Sequence, residues 1–153
     1  MVQKSSITRE SRVLKTLEDT AALAKDLAVQ LKHRQIIGLQ GDMGSGKTHF
    51  VKALAEQLGL DGRSANSPTF AIHQEYRNQE VTLHHIDLFR LESEDEIESS
   101  GFWDLFYEEN VVIAVEWIDR IDQRQIPEHF SYLRMDWQVV SDGTRQVLLT
   151  NFR

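Results

Sequence analysis

Leu17, Ala21, Ala24, Ala28 and Leu31 recur at three- and four-residue intervals, the spacing of one helix face. Thr16, just ahead of them, can cap that helix, and Asp19 places an acid in its first turn. Residues 35–40 (QIIGLQ) form a short apolar run that predicts a buried strand and feeds straight into a glycine-rich segment. Beyond it Phe50, Leu54 and Leu58 fall four apart, so a second helix is expected from Lys47 to a stop at Gly59. The period then changes. Phe70, Ile72 and Tyr76 alternate with polar residues, Asn78-Gln79 turns the chain, and residues 81–89 return as the second strand of a hairpin or meander. Ser93 with Glu96 predicts a capping box for an acidic helix, and Phe102–Tyr107 a second short helix. Residues 111–115 (VVIAV) are apolar at every position, which suits a central strand buried on both faces. Residues 132–140 and Arg145–Asn151 flank Asp142-Gly143, a hairpin signal. Strands alternating with helices around a buried parallel core, with antiparallel additions, predict an α/β fold with helices on both faces of the sheet.

Composition narrows the class. With 153 residues, 41% hydrophobic and 27% charged, the chain reads as one soluble globular domain over residues 1–153. No repeat, low-complexity tract or linker divides it, and the first 15 residues read as a loosely ordered or edge segment. Cysteine is absent, which excludes a disulfide framework, a thiolate metal site and a cysteine nucleophile, and fits a reducing compartment. Residues 1–17 are charged and lack the apolar block of a signal peptide, and no stretch approaches the ~20 apolar residues of a membrane span. The expected place is the cytoplasm, with no membrane partner. A net charge of −7 argues against a chain that grips nucleic acid over a broad surface by itself. Much of that charge sits in Glu92, Glu94, Asp95, Glu96 and Glu98, either a solvated helix face or a docking face for a basic partner.

Gly41-Asp42-Met43-Gly44-Ser45-Gly46-Lys47-Thr48 matches G-x-x-x-x-G-K-[ST] at every position. Glycines let the backbone approach phosphates with its N–H groups turned inward, and the following helix offers its free N–H groups to the same anion. Lys47 can reach the β- and γ-phosphates, and the Thr48 hydroxyl can ligate Mg²⁺, which prefers hard oxygen donors. A glycine-rich loop can also be a mere tight turn. The predicted order of strand, loop and helix is the context that separates a phosphate cradle from that alternative.

Hydrolysis also needs a metal ligand and a group that positions water. Asp87 and Glu116 each end an apolar strand, where an unpartnered charge is costly and Mg²⁺ would be a partner. Asp87 is also placed for a surface pairing with Arg90, and Glu116 for simple exposure at a strand end. Trp117 reads first as core packing. Ser67-Pro68-Thr69 is either a loop entering a strand or a switch whose threonine meets the metal and γ-phosphate. His84 and His85 have no third ligand at metal spacing, so no zinc site is expected.

In this order the motifs resemble the TsaE (YjeE) family of bacterial P-loop ATPases: G-D-x-G-[AS]-G-K-T at residues 41–48, S-P-T-[FY] at 67–70, and H-x-D-L-[YF]-R at 85–90. They continue with Gly101 and Asp104 in the acidic-helix region and Glu116-Trp117 after the valine-rich strand. The resemblance covers about residues 17–127, and the C-terminal hairpin matches no motif. Phe70 and Phe89 stand where tyrosine is common in the family.

The resemblance implies an ATP- and Mg²⁺-dependent accessory protein for the threonylcarbamoyl modification of adenosine next to the anticodon. It would act with a TsaB–TsaD complex that supplies most of the tRNA-binding surface. It further implies that Lys47 and Thr48 bind phosphate and metal, that Asp87 and Glu116 serve the metal and the attacking water, that Thr69 is the switch, and that Trp117 lies near the nucleotide. No arginine finger is evident, so turnover is expected to be slow alone and partner-stimulated. Two alternatives stand beside this reading. One is a small-molecule kinase with a lid built on Arg120 and Arg124, the other a nucleotide-dependent binding module with negligible hydrolysis.

Overall fold

The computed structural model describes residues 7–64 and 72–153. Its strands are β1 (Thr8–Leu14), β2 (Arg34–Gln40), β3 (Asp61–Ser64), β4 (Ile72–Arg77), β5 (Thr82–Asp87), β6 (Val111–Glu116), β7 (Ser131–Val139) and β8 (Arg145–Asn151). They form one sheet in the order β1-β8-β7-β2-β6-β5-β4-β3. The centre is parallel, with β2 between β7 and β6 and β5 beyond β6, while β1, β8, β4 and β3 extend it antiparallel on both flanks.

The helices are α1 (Leu17–Ala28), α2 (Lys47–Gln57) and α3 (Glu94–Ser99), and Phe102–Tyr107 winds as a 3-10 helix. Thr16 caps α1 through a reciprocal pair with Asp19. The expected stripe is shifted: α1 buries Thr20, Leu23, Ala24 and Leu27, leaves Leu17 exposed and ends at Ala28, and Leu31 packs on the core from beyond the helix.

β6 is buried at all six positions, so its alternate residues face two different layers. Val112 and Ala114 join Ile37, Leu39, Phe50 and Leu54 in a core beneath α1 and α2. Val111, Ile113 and Val115 join Ile36, Ile97, Phe102 and Phe130 in a second core beneath α3 and the 3-10 segments. The chain is therefore a three-layer α/β/α domain, with helices on both faces as the sequence pattern predicted. Each large apolar side chain withdrawn from water in these cores contributes about 1.5–3 kcal/mol before entropy is counted. Among the described residues no helix is long and apolar enough to cross a membrane.

Candidate nucleotide site

Ligands of open α/β sheets gather at the carboxyl ends of the parallel strands. Here the parallel register sets Leu39 of β2 opposite Glu116 of β6, and Glu116 opposite Asp87 of β5. Strand pairing alone thus brings the two acids together beside the loop that leaves β2.

That loop is held open by its glycines. Gly41, Gly44 and Gly46 take φ of +150°, +78° and +108°. A Cβ on Gly41 would stand 2.5 Å from the Trp137 carbonyl oxygen, so both backbone angle and space demand glycine. Gly46 opens α2 without a side-chain cap, which leaves the first N–H groups of the helix to an anion. From behind, Arg145 of β8 donates Nε to the Ser45 carbonyl at 3.2 Å and Nη2 to the Gly44 carbonyl at 3.1 Å. A carbonyl drawn to Arg145 turns the N–H of the same peptide unit the other way.

Lys47 is 4% exposed and folds over the loop, donating to the carbonyls of Gly41 and Asp42. Burial pushes its pKa down, against the pull of Glu116, Asp87 and Asp42. The Thr48 hydroxyl donates to Glu116 Oε2 at 2.9 Å, and His85 Nε2 lies 2.6 Å from the same oxygen. Burial would raise the Glu116 pKa, but the contacts from His85, Thr48 and Lys47 outweigh it and hold the carboxyl below its ordinary value. Asp87 differs. Burial raises its pKa, repulsion from Glu116 adds to that, and the Phe89 N–H, donating at 2.9 Å, opposes it. One acid is thus held ionised and its neighbour is biased toward taking up a proton.

Trp117 follows Glu116 in the left-handed region, φ +62° and ψ +45°, a conformation that costs a bulky residue roughly 1–3 kcal/mol. Its ring packs on Phe89 at 5.2 Å between centroids and faces Lys47 Nζ at 4.9 Å. The residue type alone read it as core and the resemblance placed it near the nucleotide; it lines a cavity of about 410 Å³ together with Lys47, Thr48, Asp87 and Glu116. A second cleft of about 430 Å³ opens between Leu17, Thr20, His49 and Trp137 on the Gly46 flank. Ser45 Oγ and Trp137 Nε1 are buried there with no hydrogen-bond partner among the described residues, a state that a polar ligand would relieve. A wider cleft of about 570 Å³ at the opposite end of β2, near Gln35, contains none of these groups.

The structure therefore brings Gly41, Asp42, Met43, Gly44, Ser45, Gly46, Lys47, Thr48, Asp87, Glu116 and Trp117 into one region. Thr69 and the rest of Ser67-Pro68-Thr69-Phe70 lie outside the described residues. Of the proposed lid arginines, Arg120 donates to the Leu91 carbonyl at 2.9 Å and lies over the Trp117 ring, 5.6 Å from its centroid, while Arg124 pairs with Asp122 at 3.0 Å. Three contributors had no role assigned from sequence. His85 stands two residues before Asp87 on the same strand face, a spacing that could have flagged it. Arg145 and Trp137 reach the loop from about a hundred residues away, and no local pattern marks them.

The family model for threonylcarbamoyl adenosine biosynthesis protein TsaE matches residues 14–147. The tRNA threonylcarbamoyladenosine biosynthesis protein TsaE of Bacillus subtilis is 38% identical over 133 residues, 87% of this chain and 80% of the relative. The protein of that name from Aquifex aeolicus is 41% identical over 109 residues, 71% of this chain and 76% of the relative. Among solved structures, Bacillus subtilis YdiB aligns with a TM-score of 0.74 at 28% identity, covering 97% of this chain and 89% of that one.

Proposed function

The chain belongs to the TsaE family of tRNA threonylcarbamoyladenosine biosynthesis, and on that premise we propose that it binds ATP with Mg²⁺ at residues 41–48 and hydrolyses it. The hydrolysis serves the threonylcarbamoyl modification of adenosine next to the anticodon, in the cytoplasm, together with a TsaB–TsaD complex that holds the tRNA. The observation that carries this reading is the Thr48–Glu116–His85 chain at the mouth of a glycine loop.

The donor set suits the ion. Thr48, Asp87 and Glu116 offer hard oxygens around one cavity, and Thr48 can give a lone pair to Mg²⁺ while its O–H goes on donating to the Glu116 carboxylate. When bound, the ion would offset phosphate charge. Lys47, released from the Gly41 and Asp42 carbonyls, adds its ammonium to that task. Glu116, kept ionised, orients the attacking water and accepts its hydrogen bond, and His85 fixes the carboxylate that does so. Trp117 walls the cavity, and the unpartnered Trp137 Nε1 and Ser45 Oγ suggest the neighbouring cleft for the rest of the nucleotide.

A kinase lid has little support, because Arg120 is held between the Leu91 carbonyl and the Trp117 ring and Arg124 is paired with Asp122, so neither reaches over the glycine loop. The test is phosphate release by the isolated chain. Lys47→Ala is expected to abolish ATP binding, whereas Glu116→Ala retains binding and loses turnover. Normal turnover in Glu116→Ala would refute the assignment of the acid. Transfer to a small-molecule acceptor would replace this reading with the kinase.

A further inference from the structure

On the sheet face away from the glycine loop, β4 and β5 carry a second set of donors. Alternation along β5 points His84 away from His85, so it cannot share the Glu116 site. The register pairs Glu75 of β4 directly with His84 of β5. Glu108, in the segment just before β6, closes on the same imidazole, its carboxylate 2.9 Å from His84 Nε2. One donor atom from each of Glu75, His84 and Glu108 lies within 4.8 Å of the other two. Three donors bound to one ion at about 2.1 Å stand roughly 3.4 Å apart in a tetrahedral set, so side-chain rotations of about an ångström would close this triad. Sequence spacing offers His84 no further ligand, whereas the fold brings to it Glu75 from the neighbouring strand and Glu108 from the segment before β6.

We propose that Glu75, His84 and Glu108 form a binding site for a divalent transition-metal ion of the zinc class, separate from the nucleotide site. Four features carry it. One nitrogen with two carboxylate oxygens favours zinc-like ions over Mg²⁺ and Ca²⁺, which take oxygen alone. His84 is buried, with its side chain 4% exposed, while that of Glu108 is 41% exposed, which gives a rigid anchor and an open route for the ion. The second imidazole nitrogen, His84 Nδ1, lies 2.8 Å from His73 Nε2, the outer-shell contact that orients a metal-bound histidine. Lastly, two carboxylates converge on one imidazole, and although Arg77 pairs with Glu75, the ion would offset the remaining repulsion between them. Bound there, the ion ties the β4–β5 hairpin to the segment leading into β6. It braces the strand that bears His85 and Asp87.

Binding also sets a proton pattern. Nε2 must turn its lone pair to the ion, any proton there passing to solvent, so Nδ1 carries the remaining proton and donates a hydrogen bond to His73 Nε2. The test uses the untagged, chelator-treated full chain without nucleotide, titrated with Zn²⁺ by calorimetry and with Co²⁺ by visible absorption. One equivalent is expected to bind with a tetrahedral Co²⁺ spectrum, and imidazole ¹⁵N shifts should report Nε2 ligation with a protonated Nδ1. Glu75→Gln and Glu108→Gln, isosteric and checked for an unchanged metal-free melting temperature, should each weaken binding at least tenfold. Glu116→Gln should leave it unchanged. Absence of binding at 100-fold excess Zn²⁺, or affinity that survives the Glu75→Gln/Glu108→Gln double variant, would overturn the site. Binding abolished by Glu116→Gln alone would place the ion at the nucleotide site and overturn it equally.

Discussion

His85→Phe removes one donor from a buried carboxylate while keeping a planar ring of similar size in a position that is 6% exposed. Glu116 would retain Thr48, at 2.9 Å, and lose the contact at 2.6 Å. A hydrogen bond to a charged group contributes about 1.5–3 kcal/mol, and a volume-conserving swap adds little cavity cost. The variant is therefore expected to lose about 2 kcal/mol, or roughly 4–8 °C in melting temperature for a chain of this size. The loss has a pH signature. The Glu116 pKa is depressed in the folded chain, so the stability it contributes is present above the ordinary value of 4.5 and fades as pH falls through the folded value. Parent and variant should differ most near neutrality and converge in acid. Because His85 positions the carboxylate without touching the phosphate loop, turnover should fall about 10- to 100-fold while ATP affinity stays within about threefold. Urea unfolding across pH, with phosphate release and nucleotide titration, measures all three. A variant matching the parent in stability at pH 7.5 and in turnover would refute the role given to His85.

Arg145→Met keeps the packing of the stem and removes the clamp on the Gly44 and Ser45 carbonyls. ATP affinity should drop about tenfold, equivalent to ~1.4 kcal/mol, in a fluorescent-nucleotide titration, and an unchanged affinity would show that the glycines hold the loop unaided. Tyr132, 5% exposed, has its hydroxyl pKa pushed up to about 12, chiefly by burial, with Arg134 opposing. A raised folded-state pKa gives stability that is complete below pH ~10 and lost as pH climbs toward 12, up to about 2.7 kcal/mol. Tyr132→Phe should flatten that alkaline decline, and an identical slope in the variant would assign it to another group.

The layered α/β architecture was legible because β2 and β6 hold unbroken apolar runs, residues 36–39 and 111–115, with helical spacing before and between them. The glycine loop was legible because its chemistry is local: eight consecutive residues do one job. Asp87 and Glu116 could be named since an acid ending a buried strand is conspicuous, but their adjacency comes from the order β2-β6-β5, which no sequence window contains. The same limit hid Arg145 and Trp137, whose hairpin carries no motif and yet props the loop. It also hid Glu75, which meets His84 through strand register, and Glu108, which reaches it from the segment before β6. For Trp117 the residue type alone pointed to core, because tryptophan is usually buried, and only the motif resemblance placed it near the nucleotide. Its left-handed backbone, which turns the ring toward the cavity, is a property of the tertiary structure.

The central claim is that this site hydrolyses ATP in the service of a partner complex. Mg²⁺-dependent phosphate release by the purified chain, measured with and without TsaB and TsaD and with Glu116→Ala as control, tests it most directly. Slow release that rises when both partners are added, and vanishes in the variant, is the predicted result. ATP binding with turnover indifferent to the partners would contradict it.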